Sequence, residues 1–310
     1  MMKKTLMVGV GILLGAMTAL ASAGPLTLSG NFVQVGISDY GTFGSNGNTP
    51  PGIRHDPTGT GNFAPGGVAN DYLTPGTPHD SVAIMSLQTG VMQNENAGIS
   101  NFGFGSPTVA VVPGYALAAE WSGGVAGVLG ITNTYYFNPN DERVNVRTTL
   151  TALTDLTDLS FGRSTDPDPD VNRFGTYDTI NTRGNGTLSP ADLVTSRGVV
   201  SGLFLGILNE SGGLYAHNTG ISNFCCSADN PANVLAGYGP TYPATNTADY
   251  GLQMAWLIGN MSRGQSATIQ YAYVFGDRIE EVTPTVPEPA SLLLFSTGLV
   301  GLGRAWRKRR

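Results

Sequence analysis

The clearest pattern in the chain is a strict alternation from Arg143 to Leu153. Val144, Val146, Thr148, Leu150 and Ala152 fall on one side, while Arg143, Asn145, Arg147, Thr149 and Thr151 fall on the other. A period of two with one apolar side predicts an antiparallel strand with a buried and a wet face. Leu26 to Ile37 alternates too, but changes face across Gly30-Asn31, as a bulge or turn requires. Ser81 to Gln88 and Thr108 to Val112 are the next strand candidates. Tyr115 to Phe137 predicts two strands turning at Gly123-Gly124 or Gly130. Near the end of the body, Tyr250 to Ile258 and Ala267 to Phe275 flank a polar, glycine-containing stretch, which predicts a long hairpin with Ile269, Tyr271, Tyr273 and Phe275 on its core face. From Asp39 to Asp80 the chain is rich in Gly, Pro, Asn and Thr and predicts a long loop or several short hairpins. No repeat of about 20 to 50 residues is visible, which argues against a solenoid or propeller. The expected fold is all-β, an antiparallel β-sandwich, with an enlarged, supersandwich-like form as the larger variant.

Composition strengthens that expectation. The 43 glycines and 19 prolines penalise helices and favour turns between short strands. Residues 24 to 285 contain no lysine, and nine arginines set against twenty-one acidic residues leave this body at a formal charge of −12. The whole-chain value of −6 conceals this, because seven cations sit near the two ends. An acidic, lysine-free body argues against nucleic acid and anionic lipid as partners, and leaves cations and neutral sugars.

Those two ends are of a different kind. Lys3 and Lys4 precede an apolar stretch from Leu6 to Leu20 and then Ala21-Ser22-Ala23, the order of a secretory signal peptide. Signal peptidase is therefore an expected partner, cutting after Ala23 so that the mature chain begins at Gly24. No cysteine follows the apolar core, which excludes a lipoprotein anchor. At the other end Pro287-Glu288-Pro289 holds an extended, accessible backbone. An apolar run from Ala290 to Gly303 follows, then the cations Arg304, Arg307, Lys308, Arg309 and Arg310. The run spans about 21 Å as a helix, short of the roughly 30 Å hydrocarbon core, so Arg304 must snorkel. The cations hold that end in the cytoplasm.

This ending resembles the PEP-CTERM sorting signal of Gram-negative bacteria, in the Pro-Glu-Pro triplet, the short transmembrane stretch and the arginine-rich terminus. The resemblance covers residues 286 to 310 and implies recognition by exosortase, a membrane-embedded cysteine transpeptidase. It also implies transient passage through the inner membrane and delivery to the envelope, cell surface or extracellular matrix, in company with exopolysaccharide and biofilm. Three segments are thus expected: a signal peptide at 1 to 23, an exported body at 24 to 285, and the sorting signal. No LPxTG motif is present, which argues against a Gram-positive sortase.

Within the body, Asp166-Pro167-Asp168-Pro169-Asp170 sets three carboxylates at alternate positions on a proline-stiffened backbone. Close like charges repel unless a cation sits among them, so Asp166, Asp168 and Asp170 are candidate ligands for calcium. The competing accounts are a solvated acidic turn or pairing with Arg163 and Arg173. Asn181 to Asp192 follows an EF-hand loop loosely, but Arg183 occupies a ligand position and Asp192 replaces the bidentate glutamate. Cys225 and Cys226 are adjacent, so they form a vicinal disulfide or remain free or intermolecular thiols. His55, His79 and His217 are too dispersed for a zinc motif, and no catalytic signature is present. Trp121, Tyr135, Tyr136, Tyr238 and Tyr242 are candidate sugar-stacking rings, with a place in the core the stronger expectation for Trp121. The expectation is a non-enzymatic, exported protein that binds polysaccharide or matrix. The alternative is a polysaccharide-modifying enzyme with a cleft built from Arg54, His55 and loop aspartates.

Overall fold

A computed structural model describes residues 24–284, apart from 65–68, 76, 78, 97–98, 104, 227 and 229. The signal peptide with Ala21 and Ala23, and the sorting tail with Pro287, Glu288, Pro289, Arg304, Arg307, Lys308, Arg309 and Arg310, lie outside the described residues. Among the described residues no helix is long and apolar enough to cross a membrane.

Strands dominate. β1 (Leu26–Ser29), β2 (Val33–Ile37), β3 (Ile53–His55) and β4 (Asn70–Asp71) form a small sheet in chain order. β5 (Asp80–Ser86) and β6 (Gly90–Glu95) are the first strands of a five-stranded sheet. β7 (Thr108–Val109), β8 (Leu117–Val125), β9 (Leu129–Phe137) and β10 (Arg143–Ala152) begin a nine-stranded one. The chain then exchanges sheets repeatedly through β11 (Leu156–Thr165), β12 (Thr179–Arg183), β13 (Leu193–Gly198), β14 (Phe204–Asn209), β15 (Ala216–Ser222), β16 (Thr247–Ala248), β17 (Gly251–Met261) and β18 (Ser266–Gly276). The larger sheet runs β16-β12-β13-β14-β18-β10-β9-β8-β7 and the smaller β15-β17-β11-β5-β6, with antiparallel pairing between all named strands. The all-β, antiparallel expectation holds, and the two sheets enclose one principal core.

The alternation of β10 decides which face is inside. Val144, Val146, Thr148, Leu150 and Ala152 are all fully buried. Thr148 belongs there despite its hydroxyl, because that group donates to Asn133 Oδ1 at 2.7 Å. Two strand expectations need correction. The β8–β9 turn is at Ala126, Gly127 and Val128, with Gly127 at φ +71°, and Gly124 is a kink inside β8 where a Cβ would strike the Leu129 carbonyl. More consequentially, β17 and β18 are not a hairpin. β17 pairs with β15 and β11 while β18 pairs with β14 and β10, so the turn between them crosses from one sheet to the other. Their aromatic rings then meet through the core instead of along a ladder, with Trp256 and Tyr271 centroids 5.2 Å apart.

Candidate functional site

The core carries a charged centre. Arg163, on β11, is fully enclosed and places Nη2 2.5 Å from Asp80 Oδ2 on β5. Arg163 Nη1 donates to the Gly41 carbonyl at 3.1 Å, and Tyr273 OH donates to Asp80 Oδ1 at 2.6 Å. Burial favours discharging both partners. A guanidinium keeps its proton in proteins, and Asp80 also receives the Phe43 N–H at 2.7 Å, so the pair is ionic. Asn133 Nδ2 and Tyr135 OH converge on the same Gly41 carbonyl. Gly41 has φ +73° and lies against the Trp121 ring, where a Cβ has no room. Saturated in this way, the centre is a clasp that fastens the 38–44 loop to both sheets.

The Asp-Pro repeat follows directly after β11, three residues beyond Arg163. Its backbone is pinned on both sides: Asp166 N–H donates to the His79 carbonyl, Asp168 N–H to the Tyr72 carbonyl, and Asn70 Nδ2 to the Pro169 carbonyl. The three carboxylates part company. Asp170 turns to accept from Val200 N–H at 2.7 Å and Ser201 N–H at 3.2 Å, and does not join the others. Asp166 and Asp168 converge instead with Asp249, which follows β16 and which the local sequence did not single out. Burial, then Asp249, raises the Asp166 pKa to about 8; burial, then Asp166 and Asp249, raises that of Asp168 to about 9. Arg163 is committed to Asp80, and Arg173 lies over the Phe174 ring at 5.3 Å, so neither arginine pairs with the repeat. Cys225 and Cys226 are disulfide-bonded, with Cys226 Sγ 3.7 Å from Asp166 Oδ2. A disulfide sulfur has no proton to donate, so that approach is contact only.

A second feature opens on the face of the nine-stranded sheet turned away from the core. Pro113, Gly114, Tyr115, Asn138, Asp141, Arg143 and Asn145 line a cleft of about 660 Å³. Tyr136, on β9, braces Tyr115 edge to face at 4.6 Å. Burial together with Asp141 and Glu210 raises the Tyr115 hydroxyl above its ordinary pKa, so it stays a neutral donor. Arg143 pairs with Glu210 at 3.1 Å and also donates to the Thr283 carbonyl at 3.2 Å. Asp141 and Arg143 are shared with a neighbouring cleft of about 560 Å³ that reaches Thr283 and Pro284.

The remaining candidates are occupied structurally. Tyr135 and Trp121 are core, Tyr238 donates to Gln253, and Tyr242 donates to Glu280 at 2.7 Å. Arg54 and His55 are consecutive on β3 and therefore point apart. Arg54 pairs with Asp71 at 3.3 Å, whereas buried His55 contacts Tyr72 OH and Glu142, so the two do not share a cleft. His79 Nδ1 is 3.9 Å from Glu95, but burial and Arg163 lower its pKa to about 4 and keep the ring neutral. His217, Asp192 and Ser189 gather as well, but Ser189 donates to Asp192 and not to the imidazole, the wrong order for an activated nucleophile. The EF-hand-like stretch makes no ligand ring: the Asn181 amide donates to Thr179 and Ala248, and that of Asn185 to Ile279 and Val282.

Residues 285–310 match the family model of the PEP-CTERM protein-sorting motif. This chain carries that sorting motif. It marks an exported protein, sorted by an exosortase to the cell envelope or surface. No curated protein matches the chain. Solved structures overlap loosely. A putative aldose 1-epimerase from Escherichia coli K12 is 9% identical, with 81% of this chain and 98% of that one covered at a TM-score of 0.42. A galactose mutarotase-like protein from Lactobacillus casei ATCC 334 is 10% identical, with coverages of 81% and 100% and a TM-score of 0.40. A heparan sulfate lyase HepC mutant from Pedobacter heparinus is 10% identical, covering 62% of this chain and 24% of that one at a TM-score of 0.34. Overlaps this loose carry no residue and no activity to this chain.

Proposed function

We propose that the exported body is a non-enzymatic polysaccharide-binding protein of the envelope or extracellular matrix, holding a neutral sugar chain in the cleft beside Tyr115. The observation that supports this reading is the composition of that cleft: an aromatic ring fixed by a second ring, above Asn138, Asp141, Arg143 and Asn145. Sugar rings offer an apolar C–H face and a rim of hydroxyls, which matches one aromatic wall and a floor of donors and acceptors. The preference for a neutral chain follows from the charge of −12, which repels polyanions, and from the pairing of Arg143 with Glu210. A binder fits better than a catalyst, because Arg143 is already paired with Glu210 and Asp141 already accepts from the Asn138 N–H at 2.7 Å.

Affinity electrophoresis of the intact protein through gels containing neutral exopolysaccharide tests this. The wild type should be retarded, and Tyr115→Ala should lose on the order of tenfold in affinity, about 1.4 kcal/mol. Tyr242→Phe, whose ring lies elsewhere, should migrate as the wild type does. No retardation, or equal retardation of Tyr115→Ala, overturns the proposal.

A further inference from the structure

Two buried carboxylates stand out by what they lack. Asp71 accepts from Gly52, Ile53, Leu73 and Thr74, and Asp170 from Val200 and Ser201. Buried acids in this protein are otherwise supplied with donors. Asp168 is only 3% exposed, and its Oδ1 has no hydrogen-bond partner among the described residues. Asp166 is 4% exposed, and among the described residues the side-chain hydrogen-bonding contact to its carboxylate is the disulfide sulfur of Cys226, which cannot donate. Asp249 also has a buried Oδ1 without a partner among the described residues. An unsatisfied buried acceptor costs about 1–3 kcal/mol, and more when charged, so two of them converging with a third buried carboxylate call for a guest.

We infer that Asp166, Asp168 and Asp249 form a binding site for a hard divalent cation, calcium in the exported protein. Each offers a carboxylate oxygen, and the three lie within 4.8 Å of one another. Calcium takes oxygens at about 2.3–2.6 Å, so ligands on one ion are at most about 5 Å apart, and the triad is already within that span. The backbone N–H bonds from Asp166 and Asp168 and the side-chain bond from Asn70 Nδ2 to the Pro169 carbonyl hold two ligands in place before the ion arrives. Asp249, less buried than the other two, is at the rim and opens the site to solvent. Water completes the shell. The site is separate from the sugar cleft and does not depend on it. An extracellular site of this charge needs a Kd of only about 0.1–1 mM.

Thermal melts of the intact protein in mild detergent at pH 7.5, in 5 mM calcium and in chelator, test the inference. Calcium should raise the midpoint by on the order of 5 °C. Asp168→Asn should abolish that rise while melting no lower than the wild type in chelator, since the amide keeps the shape of the acid and brings no charge into the buried position. Asp249→Asn, at the rim where folding is least at risk, should abolish it too, and Asp277→Asn, exposed and remote, should preserve it. Equal midpoints for the wild type in calcium and chelator, or a full calcium response in either Asp168→Asn or Asp249→Asn, overturn the assignment.

Discussion

Single residues in this molecule act through what their neighbours have already satisfied. The Arg163–Asp80 pair draws on both sheets and on the 38–44 loop, so its loss is felt widely. Asp80→Ala should destabilise the protein by about 3–5 kcal/mol, because it strands a guanidinium in the core. Replacing both partners together, as Asp80→Leu with Arg163→Met, should recover most of that loss, since the cost lies in the unpaired charge and not in the absent attraction. Denaturant titrations of the two single variants and the double variant measure the difference. A double variant as unstable as Asp80→Ala would mean that the hydrogen bonds to Gly41 and Tyr273, and not the charge, hold the clasp. Nothing in the local sequence marks Arg163 as central. It is one arginine on a strand next to acidic residues, and its pairing with Asp80 is set by which strand lies alongside β11.

At the level of elements, a period of two was readable wherever one face is wet. β10 shows this most plainly and β1 follows it, while β2 and β5 fell close to their expected places although nearly all their residues are buried. Where both faces are covered the signal fades. Gly251 to Trp256 in β17 are all buried, and two apolar strands joined by a polar turn look the same in sequence whether they pair or arch across the core. The acidic repeat was legible as three carboxylates but not in its grouping, because Asp249 reaches Asp166 only through the β16–β12 pairing at the sheet edge. Tyr136 was visible as a candidate ring, yet Tyr115, which lines the cleft, was read only as the start of a strand. Loops hold their own logic, and the 56–62 turn is built on one carboxylate. Burial raises the pKa of Asp56, but donation from Thr58, Thr60 and Asn62 outweighs it and leaves the group below its usual 3.8. A depressed folded-state pKa gives stability that is fully present above the unfolded value and is lost as pH falls through the folded one. Wild type and Asp56→Asn should therefore differ by a constant amount at neutral pH and converge below pH 3.8. Urea midpoints measured from pH 7 to pH 2.5 check this, and a gap that persists unchanged at the acid end would remove Asp56 as the cause.

Across the whole molecule, the end of the described body bears on how sorting and binding fit together. Arg143 lines the Tyr115 cleft and also holds the Thr283 carbonyl, so the chain leaves the body toward its sorting motif beside the proposed sugar site. The motif at 285–310 is a protein-sorting motif, and the sequence leads us to expect processing at both termini. The mature protein should therefore begin near Gly24 and end near Pro287-Glu288-Pro289. Intact-mass measurement on material from native cells and from cells lacking the exosortase checks this. The first should lack the apolar run and its five cations, and the second should retain them and stay with the inner membrane. Persistence of Arg310 in protein from native cells would show that the tail remains as an anchor.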